Sequence, residues 1–475
     1  MSSRGSPALS RRSAGVLLHL SSLDGPGAIG DMGKSAHEFV EWCADAGFSW
    51  WQMLPIGPVG AGNSPYSSRS TFAGEELFVS LEGLADDGLL TAKDLAKARS
   101  RSRSVRSTVD YRVARATKGP AFAAAFRAFA HGRGFAGDEY TAFARRTRNW
   151  LPGWRRFMGD RAGFHAFLQF QFDRQWAALR RTCRAHRLGL LGDLPIFVSL
   201  DSADVADHPS LFRLDRRGKP EVVTGVPPDC FSRNGQRWGH PHYRWATHRR
   251  RGFAWWTERI AESLRRFDAL RIDHFVGFHH AYEIPAKERT ARKGEWKLQA
   301  GGELLAAARR RLGALPLVAE DLGAVTAEVV ALRRRFGLPG MCVLQHSFGD
   351  DSAGARLRAI TPATVVYTGT HDNDTSMGWW RALDATARMR VRRCGGATMQ
   401  RDPACGLCRL ALSSRAALAI LPMQDLLSLG SETRMNLPGS ARGNWLWRLP
   451  SAWHRLTRAD PSAISSMVRR ARRAS

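Results

Sequence analysis

Eight short apolar runs punctuate the chain, at 15–20, 50–55, 190–197, 268–275, 316–322, 340–345, 364–369 and 419–424. Each is too short for a buried helix and is bounded by glycine, proline or charged residues, so each reads as a strand buried on both faces. Between several of them the apolar spacing changes to threes and fours, at 36–46, 164–187, 255–266, 302–312 and 326–336, the period of an amphipathic helix. Strands alternating with helices predict an α/β fold with a parallel sheet, most simply a (β/α)8 TIM barrel. Two intervals are too long for one crossover helix. Residues 56–160, after the second strand, read as an inserted, mostly helical subdomain. Residues 201–250, after the third, read as a shorter insertion. Residues 438–475 read as a terminal extension with a basic tail, without a separate C-terminal β-domain. The 475 residues then make a single barrel with insertions.

Polar chemistry gathers where these runs end. The run at 268–275 closes on Arg271 and Asp273; alternate residues of a strand share a face, and a guanidinium beside a carboxylate favours its ionised form. The run at 316–322 carries Glu320 and Asp321, and the one at 364–369 leads into His371, Asp372 and Asp374. One such acid alone is better read as a solvated strand end or a salt-bridge partner. Acids at the carboxyl ends of successive strands mark the mouth of a barrel, where active sites sit.

Bulk composition narrows the class. Hydrophobic residues make up 44% of the chain, enough for a large core, and no apolar run approaches the ~18 residues of a membrane span. Arg11 and Arg12 precede an apolar stretch at 14–20, but that stretch is too short for a secretion signal and His19 interrupts it. A cytoplasmic protein is expected. Basic residues exceed acidic ones to give a formal charge of +28, densest at 99–106 and 469–473. No nucleic-acid motif accompanies these runs, so they read as solvated surface, and neither a nucleic-acid nor a membrane partner is expected. Seven cysteines, an odd number, argue against a disulfide framework. Cys405 and Cys408, with Cys394 upstream, mimic a metal motif but lie on helical apolar spacing with no fourth ligand beside them, so no metal is expected.

The ordered motifs resemble those of the amylomaltases, the bacterial 4-α-glucanotransferase or disproportionating-enzyme family, over about 15–448. They include Trp50-Trp51-Gln52-Met53-Leu54-Pro55, Gly192-Asp193-Leu194-Pro195, Arg271-Ile272-Asp273-His274-Phe275, Ala319-Glu320-Asp321-Leu322-Gly323, Thr370-His371-Asp372-Asn373-Asp374 and Arg434-Met435-Asn436. The resemblance implies that Asp273 is a nucleophile, Glu320 a general acid/base and Asp372 a transition-state stabiliser. It implies that Arg271 and His371 flank these carboxylates, and that Asp193, Tyr66 and Asn436 bind sugar. The stretch 225–239 resembles the family's mobile loop over the cleft, with Asp229, Phe231, Gln236 and Trp238 as sugar contacts.

Retaining glycosyl transfer needs one ionised and one protonated carboxyl about 5–5.5 Å apart, and contrasting environments to separate their roles. Side chains then supply all the chemistry, so no cofactor is expected. The implied partners are α-1,4-glucans and maltooligosaccharides, as donors and acceptors. Two other readings stand at this point: an α-glucan hydrolase whose lid admits water, and a polyanion-binding protein on a degenerate barrel. The sequence departs from the family's usual residues at Ala61, Asn63, Ala206, Cys230 and Val276, all expected to bear on glucan subsites.

Overall fold

A computed structural model describes residues 8–25, 27–101, 108–132, 137–228, 232–440, 442–450 and 453–474. Twelve strands occur among them: β1 (Ser13–Leu17), β2 (Trp50–Gln52), β3 (Gly189–Pro195), β4 (Val222–Val226), β5 (Gln236–Pro241), β6 (Ala269–Asp273), β7 (His280–Pro285), β8 (Glu295–Leu298), β9 (Leu317–Ala319), β10 (Gly340–Val343), β11 (Thr364–Tyr367) and β12 (Leu418–Pro422). Eight form one sheet in the order β10-β11-β12-β1-β2-β3-β6-β9, and every pairing within it is parallel. Its two edges meet where the Ala319 N–H donates to Pro339 O at 2.9 Å and the Met341 N–H donates to Asp321 Oδ1 at 2.8 Å. The sheet thus curls into a (β/α)8 barrel.

All eight apolar runs are barrel strands. β1 and β12 are buried along their whole length, as strands walled by neighbours on one face and helices on the other must be. Gly15 is required for this closeness: a Cβ there would lie 2.8 Å from Trp50 O and 2.6 Å from Ile420 Cδ1. Helices Lys34–Asp45, Phe164–Ala185, Ala254–Arg266, Gly301–Leu312 and Ala327–Arg335 each lead into the next barrel strand, close to the spans that periodicity marks. Several strands stop short of the apolar run that predicts them. At the mouth the backbone leaves the ladder and its N–H groups turn to side chains, which places Glu320 just beyond β9, and His371 and Asp372 a turn beyond β11.

A second sheet has no counterpart in the apolar pattern. β4, β5, β7 and β8 form an antiparallel sheet in the order β5-β4-β7-β8. It joins the insertion after β3 to the segment that follows β6. β8 is only four residues long and exposed throughout, and β5 carries Gly239 and Pro241, so neither forms an apolar run of the kind that marks the barrel strands.

Between β2 and β3 lie helices Leu81–Asp86, Ala92–Arg101, Tyr111–Ala130, Gly137–Arg146 and Leu151–Phe157. Of the arginine-serine run at 99–106, residues 102–106 lie outside the described residues. Lys118, fully buried on Tyr111–Ala130, donates to Asp31 Oδ2 at 2.6 Å and to Leu77 O and Val79 O at 2.7 and 3.0 Å. Lys118→Met would leave Asp31 buried without its cation, which costs about 3–5 kcal/mol. Urea unfolding should show that loss, and Asp31→Asn in the same chain should recover part of it.

The C-terminal segment departs from the solvated tail expected of it. Arg473 is fully buried, donating to Ser13 O at 2.8 Å and to Leu412 O, Ser414 O, Ala416 O and Ala417 O. Arg12 donates to Leu412 O and Ser414 O beside it. Two guanidiniums thus satisfy the carbonyls left open at the end of helix Pro403–Ser413, where the helix dipole favours positive charge. Cys405 and Cys408 lie on that same helix, Cys408 buried. Among the described residues no helix is long and apolar enough to cross a membrane.

Candidate functional site

The mouth of the barrel is organised by Arg271. The β3–β6 register sets Asp193 opposite Arg271, and the guanidinium bridges two carboxylates, Asp193 Oδ2 at 2.6 Å and Asp273 Oδ1 at 3.0 Å. Burial works against this guanidinium, but Asp193 and Asp273 push it well above its ordinary value, so it stays charged. The Tyr66 hydroxyl donates to Asp193 Oδ2 at 2.7 Å; burial and the same carboxylate push the phenol up, keeping its proton in place. The Tyr66 ring stacks on His371, centroids 5.0 Å apart at 12°.

Glu320 has a different environment. Its Oε2 accepts the His274 N–H at 2.7 Å and its Oε1 the Leu322 N–H at 3.0 Å. Burial is the largest influence on this carboxyl; Arg271 pulls its pKa down and Asp273 pushes it up, leaving it at about 8. Glu320 therefore carries a proton near neutral pH, while Asp273, a neighbour on the adjacent strand, is paired with a cation. Asp372 is the most open of the three, its side chain 43% exposed. The Asn436 amide donates to Asp372 Oδ1 at 2.6 Å, and the His371 Nε2 lies 3.4 Å from Oδ2. Behind them Asp425, fully buried, accepts from the Thr368 hydroxyl and from the N–H and hydroxyl of Ser376, pinning both ends of the loop that carries His371 and Asp372.

Ten of the twelve site residues read from the sequence are described: Asp273, Glu320, Asp372, Arg271, His371, Asp193, Tyr66, Gln236, Trp238 and Asn436. The first seven and Asn436 form one connected network, joined by hydrogen bonds and ion pairs, by the Tyr66–His371 stack and by the charge coupling of Glu320 to Arg271 and Asp273. Gln236 and Trp238 sit on β5, with the indole N–H donating to Gln236 Oε1 at 3.2 Å, and Trp238 meets His274 edge to face at 4.9 Å. Asp229 and Phe231 lie outside the described residues, as does Cys230.

Three residues join the site unannounced. Arg434 donates to Asp372 O at 2.5 Å and to Asn436 O at 2.7 Å. Trp445 brings its ring to 5.8 Å from Tyr66 and 6.0 Å from His371, so part of the segment read as a terminal extension packs against site residues. His240 on β5 is close enough to feel Asp273, while desolvation pushes its imidazole down to about 4. Arg434 stood inside a quoted motif; Trp445 and His240 gave no local signal. Val276 is fully buried, so that departure bears on packing and not on a sugar. Ala61 is exposed on the turn Ala61–Asn63.

A parallel barrel whose mouth holds an ion-paired carboxylate beside a buried carboxyl of raised pKa has the arrangement of a barrel enzyme that works by acid–base chemistry. Comparison with known proteins narrows this. A family profile described as 4-alpha-glucanotransferase matches residues 18–159 and 153–454. The 4-alpha-glucanotransferase of Thermus thermophilus is 41% identical over 480 residues, covering 92% of this chain and 95% of that protein. That of Synechocystis is 40% identical over 478 residues, covering 93% and 94%. Among solved structures, the amylomaltase from Streptococcus agalactiae in complex with acarbose superposes with a TM-score of 0.92 at 29% identity, covering 98% of this chain and 100% of that one. The chain belongs to the 4-alpha-glucanotransferase family.

Proposed function

We propose that this enzyme moves α-1,4-glucan segments between maltooligosaccharides by a retaining double displacement, with Asp273 as nucleophile, Glu320 as acid and then base, and Asp372 as electrostatic stabiliser. The observation that carries the reading is the contrast between Asp273, held beside Arg271, and Glu320, buried with its pKa raised to about 8. In the first step Asp273 attacks the anomeric carbon of the donor and the Glu320 proton passes to the departing glycosidic oxygen. The glucan is then covalently held on Asp273. In the second step Glu320, now ionised, takes the proton of an acceptor's 4-hydroxyl as that oxygen displaces Asp273. Asp193, Tyr66 and His371 grip the donor sugar beside the reacting carbon, and Asn436 and His371 hold Asp372 in place. Gln236 and Trp238, with Asp229 and Phe231 on the preceding loop, contact glucan and keep water from the covalent intermediate. A cytoplasmic location is part of the same proposal.

Incubation with maltotriose tests the reaction. Transfer yields longer oligosaccharides together with glucose, whereas hydrolysis yields glucose and maltose without lengthening. A product set without longer chains would replace the transferase reading by the hydrolase. The pH dependence tests the acid. Glu320 must be protonated in the first step, and its raised pKa keeps the proton on up to about 8. The profile of kcat/KM should therefore be level from neutral pH to nearly 8 and fall about tenfold per unit above it. With a donor carrying a leaving group that needs no proton, that basic limb should flatten.

A further inference from the structure

We infer that a groove on the outside of the barrel, between helices Ala353–Arg358, Ala385–Arg401 and Pro403–Ser413, is a binding site for a phosphorylated small molecule. The groove has a volume of about 700 Å³ and is lined by Arg358, Arg390, Arg393 and Arg415, with Asp351 as its one acid. Ile360 and Arg415 stand on its wall just before β11 and β12 begin. These are the amino ends of the strands, whereas the loop bearing His371 and Asp372 leaves β11 at its carboxyl end. The groove therefore lies away from the catalytic carboxylates, and glucan transfer makes no use of it.

Its charges do not balance. The acid is already matched, since Arg390 Nε donates to Asp351 Oδ1 at 3.0 Å while Nη1 donates to Gly349 O at 3.2 Å. Arg358, Arg393 and Arg415 have no carboxylate partner among the described residues. A second groove of similar size, about 750 Å³, shows the contrast. There Arg146 pairs with Asp173, and Arg174 with Asp87 and Glu139. Three like charges around one concavity repel each other, and a multivalent anion relieves that repulsion. A phosphoryl group, close to −2 at neutral pH with three acceptor oxygens, matches several guanidinium forks at once; a single carboxylate does not. Gly354 leaves room for one of them to fold back, as a Cβ there would stand 3.3 Å from Arg358 Nη1. Leu357, Ile360 and Leu410 add apolar surface to the lining, which suits the organic body that carries the phosphate, and the volume is that of small-molecule sites.

Calorimetric titration of the full chain with ATP and with fructose 1,6-bisphosphate tests the site, with adenosine, fructose and inorganic phosphate as controls. One phosphorylated molecule should bind per chain, the neutral bodies should give no heat, and inorganic phosphate should bind about tenfold more weakly or worse. The tighter of the two organic probes then distinguishes a nucleotide from a sugar phosphate. Arg393→Ala and Arg415→Ala should each weaken binding about tenfold or more, and Arg358→Ala serves in place of either if it fails to fold. Arg310→Ala and Arg334→Ala remove the same charge from exposed positions on helices outside the groove, and should change binding by less than about twofold. Cys394, half-buried on the groove wall, supplies a local readout: its alkylation by N-ethylmaleimide, followed by peptide mass spectrometry, should slow several-fold when the probe is bound. Retained transfer on maltotriose shows that each variant is folded. The inference is overturned by an absence of binding for both organic probes at millimolar concentration, or by equal weakening in the groove and control variants, the mark of bulk charge. Binding that leaves Cys394 unprotected would place the anion elsewhere and overturn it too, as would inorganic phosphate binding as tightly as both organic probes.

Discussion

Asp273→Asn is expected to lower turnover about 10,000-fold or more in a protein that still folds, since removing the nucleophile of a double displacement leaves only binding and electrostatic contributions. The amide is nearly isosteric and its oxygen still accepts from Arg271, now at 3.0 Å from Oδ1, so melting should shift little. Glu320→Gln is a different kind of lesion. Both Glu320 oxygens accept main-chain N–H groups, and the amide must turn its NH2 towards one of them. Two donors face each other, which costs about 1–3 kcal/mol in addition to the lost proton. Stability should therefore drop in Glu320→Gln and hold in Asp273→Asn, while donors with good leaving groups recover part of the rate in the Glu320 variant alone. Calorimetry beside kinetics on two donors checks all four outcomes; equal, mild losses of rate would remove both residues from their roles.

The second large effect is on stability and lies at the opposite end of the barrel. Arg473→Ala would strip five main-chain carbonyls of a buried charged donor. Several such bonds together are worth about 3 kcal/mol or more, so urea unfolding should shift well below the parental midpoint. The folded fraction should keep its kcat, because nothing at this end touches the cleft. Truncation after Met467 should reproduce the loss. An unchanged midpoint in both variants would mean that the tail rests on the barrel without holding it.

The barrel was legible because its strands are buried on both faces, which writes them as apolar runs whatever their neighbours. The three carboxylates at the mouth stood out because acids close successive apolar runs inside ordered motifs, although any one of them alone would read as a solvated strand end. The antiparallel sheet was not legible, since β8 is short and exposed and β5 forms no apolar run. The Arg271–Asp273 pair followed from alternation along one strand, but the Asp193–Arg271 half of the bridge did not, since it depends on the register between β3 and β6, a long-range choice that composition does not record. Arg473 is the clearest divergence. A run of arginines at a chain end has the composition of solvated surface, and only the carbonyls exposed at the end of a distant helix make one of them internal. Trp445 belongs with it: its buried ring packs beside Tyr66 and His371 from a segment whose sequence reads as appendage.

The bond from Arg473 to the Ser13 carbonyl joins residues 460 positions apart, and β1 finds its second neighbour, β12, almost as far along the chain. During synthesis β1 leaves the ribosome long before β12 and waits with one edge unpaired until β12 has followed. Ring closure is therefore a late, high-contact-order event. Until then the nascent protein is an open curved sheet with adhesive borders at β1 and at its growing end. Slow translation or high temperature would lengthen that exposure, making assembly of this enzyme more vulnerable to aggregation than the finished barrel is to unfolding.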